Sequence, residues 1–294
     1  MKKYGIPYMG SKDKIAPSIV KILPSGNRFV DLFGGGFAIS ECALKSGKWN
    51  YVLYNDFNSL VVNLVKDAIN GKYNFKNFHP KWISRKEFFE QKEKDGYVKY
   101  IWSFGNNGEG YLHSAELEHY KMMMFEYVVN GYKYKELERL LPDIDKWVTS
   151  NKISERRKEL LRYTKSLYKE QPNKTRLQQL EYLQSLQQLE SLQRLESLQR
   201  LEFKVSSYED YVYQNGDIVY CDIPYENTAT YSGGFNYEKF YEWVNSKDYP
   251  IYISSYKNDR MDSMGWQLIW AKVKTSVMAI SSRKKKVEVI YKTK

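Results

Sequence analysis

The chain has 294 residues, 42% of them hydrophobic, and a mean hydropathy of -0.65. No apolar run approaches the roughly 20 residues that cross a bilayer, which excludes a membrane-spanning protein. The basic N-terminus is not followed by a signal-peptide pattern. We therefore expect a soluble, cytoplasmic protein whose length allows one catalytic domain with an inserted lobe.

The charge balance favours a polyanionic partner. Lys and Arg number 46 against 35 Asp and Glu, which gives a formal net charge of +11. Cationic side chains gain affinity for nucleic acids by releasing counterions from phosphates. Cysteine and histidine are sparse and lack metal-ligand spacing: Cys42, Cys221, His79, His113 and His119. We expect neither a structural disulfide nor a bound metal.

The first part of the chain alternates strand and helix patterns. Residues 28–33 have the pattern of a short buried strand, residues 34–36 are three glycines, and apolar residues then recur at helical spacing up to residue 43. A second strand pattern at 51–54 closes with Asn55-Asp56 and leads into another helical pattern. Such alternation predicts an α/β fold with a mostly parallel sheet covered by helices.

The pattern changes after residue 73. Residues 74–176 are rich in helical patterns and lysine, and strand patterns return at 201–205, 217–221, 249–253, 266–270 and 287–291. We therefore predict a catalytic domain formed by residues 1–73 and 201–294, interrupted by an inserted lobe at 74–176.

A repeat separates the lobe from the returning sheet. Between Leu177 and Leu201 a leucine occupies every third position. On an α-helix each three-residue step turns about 300°, so successive leucines drift by about 60° around the axis. We favour a long α-helix over a leucine-lined solenoid, and a structural spacer at 177–200 over an arm for dimerisation or partner binding.

Acidic residues close two of the early strands. The glycine turn behind Asp31 allows a ligand to approach backbone N–H groups at a helix N-terminus, although strand-helix packing also selects glycine. Asp56 ends the next strand, where an acid in a Rossmann-like fold accepts hydrogen bonds from ribose hydroxyls. An N-cap for the following helix is the alternative for Asp56.

A later strand pattern, at 217–221, also ends in an acid. The segment Asp222-Ile223-Pro224-Tyr225 follows it directly. In a parallel sheet this places the segment at the same carboxyl edge as the glycine turn, where ligands bind. A solvated corner is the alternative interpretation of this Asp-Pro turn.

Four motifs in this order resemble the Dam-type DNA adenine-N6 methyltransferases of the D12 class, with alpha motif order. They are Tyr8-Met9-Gly10-Ser11-Lys12, Asp31 to Phe37, Asn55-Asp56, and Asp222 to Tyr225. The segment Trp102 to Asn107 in the insertion is similar to phage and prophage members. The resemblance implies a Rossmann-like, S-adenosylmethionine-dependent methyltransferase sheet with an inserted, mostly helical target-recognition lobe.

The resemblance further implies methyl transfer from S-adenosylmethionine to N6 of an adenine flipped out of double-stranded DNA. Asp222 and the backbone carbonyl of Ile223 would hold the amine hydrogens and direct the nitrogen lone pair at the methyl group. Tyr225, behind Pro224, would stack on the extruded base.

For the cofactor, the resemblance implies that Lys12 lies near the methionine carboxylate and Asp56 near the ribose. Tyr8 would flank the adenine ring or pack locally. The remaining residues of the cofactor motif are Asp31, Phe33, Gly34, Gly35, Gly36 and Phe37.

Two residues depart from the family pattern. Phe37 stands where the usual turn ends in glycine, so we expect crowding of the cofactor pocket unless the turn shifts by one residue. Ile223 replaces the first proline of Asp-Pro-Pro-Tyr, which keeps the carbonyl but removes the restriction on φ. The alternatives are therefore a catalytically decayed DNA-binding homologue, or a cytosine-N4 or RNA methyltransferase.

Two basic clusters are candidates for phosphate contacts in DNA. The first is Arg156, Arg157 and Lys158 in the insertion, and the second is Arg283, Lys284 and Lys285 between the last strands. Most charge runs are solvated faces, which is the alternative here.

Overall fold

The structure is a computed structural model that describes residues 4–170, 183–195, 198–226, 234–274 and 286–294. In chain order its elements are α1 (Ala16–Ile22), β1 (Arg28–Asp31), α2 (Ala38–Ser46), β2 (Tyr51–Asp56), α3 (Ser59–Ile69), α4 (Arg85–Gln91), α5 (Gly96–Ile101), α6 (Ala115–Asn130), α7 (Lys135–Leu140), α8 (Ile144–Trp147), α9 (Ile153–Glu170), α10 (Gln184–Gln193), β3 (Leu201–Val205), β4 (Asp217–Asp222), α11 (Tyr237–Asn245), β5 (Ile251–Tyr256), α12 (Asp259–Ser263), β6 (Gln267–Lys274) and β7 (Lys286–Lys292). Short 3₁₀ turns occupy Phe104–Asn106 and Tyr208–Asp210.

The described strands form one seven-stranded sheet in the order β3-β2-β1-β4-β5-β7-β6. The five strands from β3 to β5 run parallel, and β7 pairs antiparallel with both β5 and β6. Each strand pattern of the sequence corresponds to one of these strands. The predicted α/β class with a mostly parallel sheet is confirmed.

The central strands are apolar because helices cover the sheet, as parallel sheets require. In β1, Phe29 and Val30 are fully buried, and the same holds for Val219 and Tyr220 in β4. A core of aliphatic and aromatic side chains extends from these strands to β5 and β7 and to α11. This packing fixes the carboxyl ends of the central strands, where the candidate site residues lie.

The chain divides into two compact units. The sheet belongs to the first unit, which comprises Met1–Gly5, Gly10–Val62 and Leu198–Lys294. The second unit comprises Ile6–Met9 and Asn63–Ser197, and its described elements from α4 to α10 are helices. None of the helices in the described ranges is long and apolar enough to span a membrane. The assignment of the two units as catalytic domain and recognition lobe stays a prediction.

The leucine repeat forms the helix α10 in its central part. Leu186, Leu189 and Leu192 are buried in this helix of 10 residues. A drift of about 60° per leucine spreads three leucines over about 120°, the width of an ordinary apolar stripe. The three-residue period is therefore compatible with a core-facing helix that is this short.

Helix α10 packs on α5 and α9 in the second unit. Arg157 of α9 forms two hydrogen bonds with Glu190 of α10, each 2.8 Å long. The Gln193 amide donates to the backbone carbonyl of Tyr73 at 2.8 Å. Residues 183–195 thus belong to the core of the helical unit, whereas repeat residues 177–182 and 196–197 lie outside the described ones. The role of the whole repeat stays a prediction.

Candidate active site

The carboxyl ends of three adjacent strands bring three acids to one edge of the sheet. Asp31 ends β1 and is level with Tyr54 of β2 on one side and Tyr220 of β4 on the other. Asp56 and Asp222 follow these two tyrosines by two residues, so each lies on the same face of its strand as the tyrosine. The predicted common edge is confirmed for Asp31, Asp56 and Asp222.

The glycine turn is tied to the end of β2. The backbone N–H of Gly34 donates to the carbonyl of Asn55 at 2.8 Å, and that of Gly35 donates to Asp56 Oδ2 at 2.8 Å. The Tyr54 hydroxyl donates to the carbonyl of Gly35 at 2.7 Å. A Cβ on Gly34 would lie 2.2 Å from the Tyr54 ring, so this position requires glycine for packing.

Asp56 binds backbone groups on both sides of its strand end. Besides Gly35 N–H, its carboxylate accepts a hydrogen bond from Asn58 N–H at 2.8 Å. Asn58 in turn accepts from Leu60 N–H at 3.0 Å, at the start of α3. Burial raises the pKa of Asp56, and the two backbone hydrogen bonds oppose this rise. The carboxylate therefore orients the glycine turn, while Asn58 provides the side chain at the helix start.

Phe37 ends the turn with its side chain in the core. Its φ is 68°, in the left-handed region that glycine favours, and α2 begins at the next residue. Its ring is fully buried and packs edge-to-face on Tyr54, with ring centroids 5.1 Å apart. The ring of Phe37 is therefore part of the core, and the expected crowding of a cofactor pocket stays a prediction. Backbone strain is offset by this packing.

Asp31 is buried and partly neutral near physiological pH. Burial is the main reason that its pKa is raised to about 7, and the charges of Asp222 and Asp56 act in the same direction. The Ser40 hydroxyl donates to Asp31 Oδ2 at 2.7 Å, which opposes the shift, as does the charge of Lys12. Asp31 Oδ1 is buried and has no hydrogen-bond partner within the described residues.

Lys12 connects the N-terminal segment to the end of β4. Its Nζ lies 2.7 Å from Asp222 Oδ2 and 3.7 Å from Glu288 Oε1, and it donates to the carbonyl of Gly10 at 3.2 Å. Burial is the main cause that raises the pKa of Asp222, Lys12 lowers it, and the charge of Glu288 raises it. Lys12 and Asp222 were both predicted as site residues, and the structure places them in direct contact.

Tyr225 completes this cluster from the loop after β4. Its hydroxyl lies 3.0 Å from Ser254 Oγ and donates to Glu288 Oε1 at 2.9 Å. Lys12 Nζ lies 4.6 Å from the centre of the Tyr225 ring, and Tyr256 packs edge-on against that ring with centroids 4.5 Å apart. We call Lys12, Asp222, Tyr225 and Glu288 the β4–β7 cluster.

The two residues between Asp222 and Tyr225 differ in burial. Ile223 is 2% exposed and belongs to the core of the first unit, whereas Pro224 is half-buried. Packing of Ile223 in this core anchors the turn after β4. The effect of the missing proline on activity stays a prediction.

Phe33 and Tyr8 pack locally. Phe33 stacks on Tyr208 with ring centroids 5.4 Å apart, and its edge-on neighbours are Phe235 and Phe240. Tyr8 belongs to the second unit, where its ring lies 5.1 Å from that of Tyr100. Gly36 is buried at the end of the turn.

The basic residues of α9 are largely engaged within the helical unit. Arg156 donates to the Tyr127 carbonyl and lies over the Tyr127 ring, at 5.1 Å from its centre. Arg157 is held by Glu190, and its side chain is only 11% exposed. Lys158 is the exposed member, with a contact of 2.7 Å to Glu155. Arg283, Lys284 and Lys285 lie outside the described residues, so all six phosphate contacts stay predictions.

Three residues near the candidate site were not predicted from the sequence: Glu288, Ser254 and Phe57. Glu288 alternates with valines in β7, a pattern that normally indicates an exposed charge, yet it is 1% exposed because both faces of the sheet are covered. Ser254 is fully buried in β5. Phe57 directly follows Asp56 and is 81% exposed, and an exposed aromatic beside a candidate ribose acid is a signal that could have been used.

Together these features define a class: an α/β methyltransferase with a glycine turn after β1, an acid after β2 and an Asp-x-Pro-Tyr segment after β4. The family model described as D12 class N6 adenine-specific DNA methyltransferase matches residues 8–265, and the chain belongs to that family. No curated protein matches the chain significantly. The protein is accordingly a DNA methyltransferase specific for adenine N6 and dependent on S-adenosylmethionine. The predicted membership of the D12 class is confirmed, whereas the similarity to phage and prophage members stays a prediction.

Proposed function

We propose that the acids at the carboxyl edge bind S-adenosylmethionine and the β4–β7 cluster presents a flipped adenine of double-stranded DNA to it. The observation that carries this proposal is the position of Asp222, at the end of the strand next to Asp31 and within 2.7 Å of Lys12. The family supplies the reaction, and the residue roles below are our assignment.

The charges at this edge fit a cationic ligand. Four acids lie at or near this edge, Asp31, Asp56, Asp222 and Glu288, and Lys12 is paired with two of them, Asp222 and Glu288. Burial and mutual repulsion raise the pKa of Asp31 and Asp222. A positively charged sulfonium compound would relieve that repulsion.

On the cofactor side, Asp56 would accept hydrogen bonds from ribose hydroxyls through lone pairs that its backbone contacts leave available. The exposed ring of Phe57 would flank the adenine of the cofactor. Lys12 would attract the methionine carboxylate, although in this structure its ammonium group is bound to Asp222.

On the DNA side, Asp222 and the carbonyl of Ile223 would accept hydrogen bonds from the adenine amine. N6 is a weak nucleophile because its lone pair is conjugated with the ring, so fixing both hydrogens on one side favours attack from the other. Bound S-adenosylmethionine supplies an electrophilic methyl group. Burial and the charge of Glu288 raise the pKa of Asp222, which prepares this carboxylate to take the proton that the amine releases.

Tyr225 would stack on the extruded base. Base-aromatic stacking contributes roughly 1 to 3 kcal/mol, which helps offset the cost of removing the base from the duplex. The half-buried Tyr225 ring lies beside Asp222 in sequence and against Lys12 in space. In the described ranges no three His, Cys, Asp or Glu side chains form a group that could hold a metal ion.

The test is to express the chain in a host without adenine methylation and sequence its DNA by a method sensitive to modified bases. We expect N6-methyladenine in one short motif, identified by mass spectrometry of the nucleosides, and none with the Asp222→Ala variant. Methylcytosine as the product, or full methylation by Asp222→Ala, would overturn the residue assignment. Binding of DNA without S-adenosylmethionine affinity or methylation would instead indicate the decayed homologue.

A further inference from the structure

Glu288 is a buried acid in the middle of β7 with no assigned role. It is 1% exposed, and its side chain accepts the Tyr225 hydroxyl at 2.9 Å and lies 3.7 Å from Lys12 Nζ. Burying a carboxylate costs several kcal/mol unless charges and hydrogen bonds compensate. Glu288 shares the ammonium group of Lys12 with Asp222. Lys12 Nζ lies 2.7 Å from Asp222 Oδ2 and 3.7 Å from Glu288 Oε1.

The position of Glu288 in the sheet explains its reach. Glu288 is level with Tyr256 of β5, and Asp222 of β4 is level with Ser254 of β5. Tyr225 crosses from the β4 loop over β5, so that its hydroxyl meets Ser254 and Glu288. Ser254 and Glu288 hold the Tyr225 hydroxyl and Tyr256 packs against the ring, so these contacts restrict the orientation of the aromatic plane.

We propose that Glu288 is a positioning residue that fixes the Tyr225 ring for stacking and shares Lys12 with Asp222. This inference rests on the proposed roles of Asp222 and Tyr225. Glu288 acts through both residues and does not contact the reacting atoms. Its hydrogen bond orients Tyr225, and its charge competes with that of Asp222 for Lys12.

The second role has a consequence for the dependence of activity on pH. The titratable groups that face Asp222 are Lys12 from the N-terminal segment, Asp31 of β1, Tyr220, Cys221 and Tyr225 from its own strand and loop, and Glu288 of β7. Without the charge of Glu288, the repulsion between Glu288 and Asp222 is absent, and Lys12 pairs with Asp222 only. Both effects lower the pKa of Asp222, so the acidic limb of the profile of kcat against pH shifts to lower pH.

The experiment compares Glu288→Gln and Glu288→Ala with wild type, using tritiated S-adenosylmethionine and plasmid DNA from a host without adenine methylation. We expect Glu288→Ala to lower kcat by about 10- to 100-fold, because a small misplacement of a reacting group has costs of this size. The affinity of Glu288→Ala for S-adenosylmethionine should change by less than about 3-fold. Loss of a hydrogen bond between cofactor and a charged group would weaken binding by more than this. Glu288→Gln keeps an acceptor for the Tyr225 hydroxyl and should show a smaller loss together with the shifted acidic limb.

Two further variants distinguish positioning from loss of structure. Tyr291→Phe, in the same strand, removes a hydroxyl that donates to Asp262 outside the cluster, and we expect wild-type kcat and an unshifted pH limb. Tyr225→Phe removes the hydroxyl that Glu288 holds. The losses of kcat in Tyr225→Phe and Glu288→Ala should be less than additive in the double variant, because both remove the hydrogen bond between these residues, while the effect of the Glu288 charge on Asp222 is separate.

Wild-type kcat and an unshifted limb in both Glu288 variants would overturn the proposal, as would fully additive losses of kcat with Tyr225→Phe. If Glu288→Ala does not fold, the isosteric Glu288→Gln carries the test through its pH limb. The outcome is separable from that of the proposed function. An active Asp222→Ala enzyme would refute the roles of the site, whereas inactive Asp222→Ala with fully active Glu288 variants would refute only this inference.

Discussion

The amino ends and the carboxyl ends of β1 and β4 differ in how their charged side chains are paired. At the amino ends, Arg28 forms two hydrogen bonds with Asp217, of 2.9 and 2.8 Å, and the Tyr211 hydroxyl also donates to this carboxylate. At the carboxyl ends of the same strands, Asp31 is level with Tyr220, Asp222 follows Tyr220 by two residues, and Lys12 is bound to Asp222.

The pKa values differ accordingly. Burial raises the pKa of Asp217, but hydrogen bonds from Arg28 and Tyr211 outweigh it, so the net shift is downward. For Asp31 and Asp222 burial prevails and the pKa is raised. The charges at the amino edge are paired, whereas the acids at the carboxyl edge repel one another, as titratable groups at functional sites often do. Substitutions at the two edges should therefore separate stability from activity.

Asp222→Ala should produce the largest effect. We expect the rate of methylation to fall by about 10³-fold, because a group aimed at the reacting atoms is removed. Thermal unfolding should change little, since Glu288 remains as a partner for Lys12. Methyl incorporation and calorimetric affinity for S-adenosylmethionine check this, with affinity retained. An Asp222→Ala protein that binds no S-adenosylmethionine would contradict the assignment of Asp222 to the target base.

Asp217→Ala should show the reverse pattern. It leaves Arg28, which is 13% exposed, without its main partner at a buried edge. Removing one partner of a buried pair costs about 3 to 5 kcal/mol of the free energy of unfolding. Urea denaturation measures this loss, and kcat per folded molecule should stay at the wild-type value. A fall in kcat with unchanged stability would contradict the assignment of this edge.

Asp31→Asn tests the carboxyl edge through the pH dependence of the free energy of unfolding. The pKa of Asp31 is about 7 in the folded protein against 3.8 for the free side chain, so the native state holds a proton that the unfolded chain has released. The free energy of unfolding therefore falls as pH rises towards 7, by about 2 to 3 kcal/mol between pH 5 and pH 8. Asp31→Asn should flatten that part of the profile. An identical slope in wild type and variant would rule out this titration.

Asp56→Ala should have the smallest effect of the four. Loss of the carboxylate removes the hydrogen bond to Gly35 N–H and the proposed ribose contacts, so we expect affinity for S-adenosylmethionine to weaken by about 10-fold. Asp56→Asn, which keeps an acceptor oxygen, should lose less. Titration calorimetry measures both. A fall in kcat at saturating cofactor without weaker binding would reverse the roles of Asp56 and Asp222.

Short-range patterns predicted much of this edge correctly. Local apolar runs, and the glycines or acids that end them, predict the strand ending in Asp31, the glycine turn and the acid Asp56. A buried strand must stop where the chain turns. Asp222 was found in the same way. These features depend on residues close in sequence, so the sequence carries them directly.

Phe37 and Glu288 show where such patterns fail. The glycine turn pattern does not predict that Phe37 adopts a left-handed φ and packs its ring on Tyr54. A glutamate between valines predicts exposure, yet the covered sheet buries it. In each case the packing of distant elements decided the outcome.

The sequence by itself determined the α/β class, the order of the motifs and the identity of the acids at the strand ends. Only the tertiary structure decided that Lys12 binds Asp222, that Glu288 holds Tyr225, and that three leucines of the repeat share one core-facing stripe. Periodicity reports the local path of the backbone, whereas these contacts join residues far apart in sequence and form only when the sheet and the helices have packed.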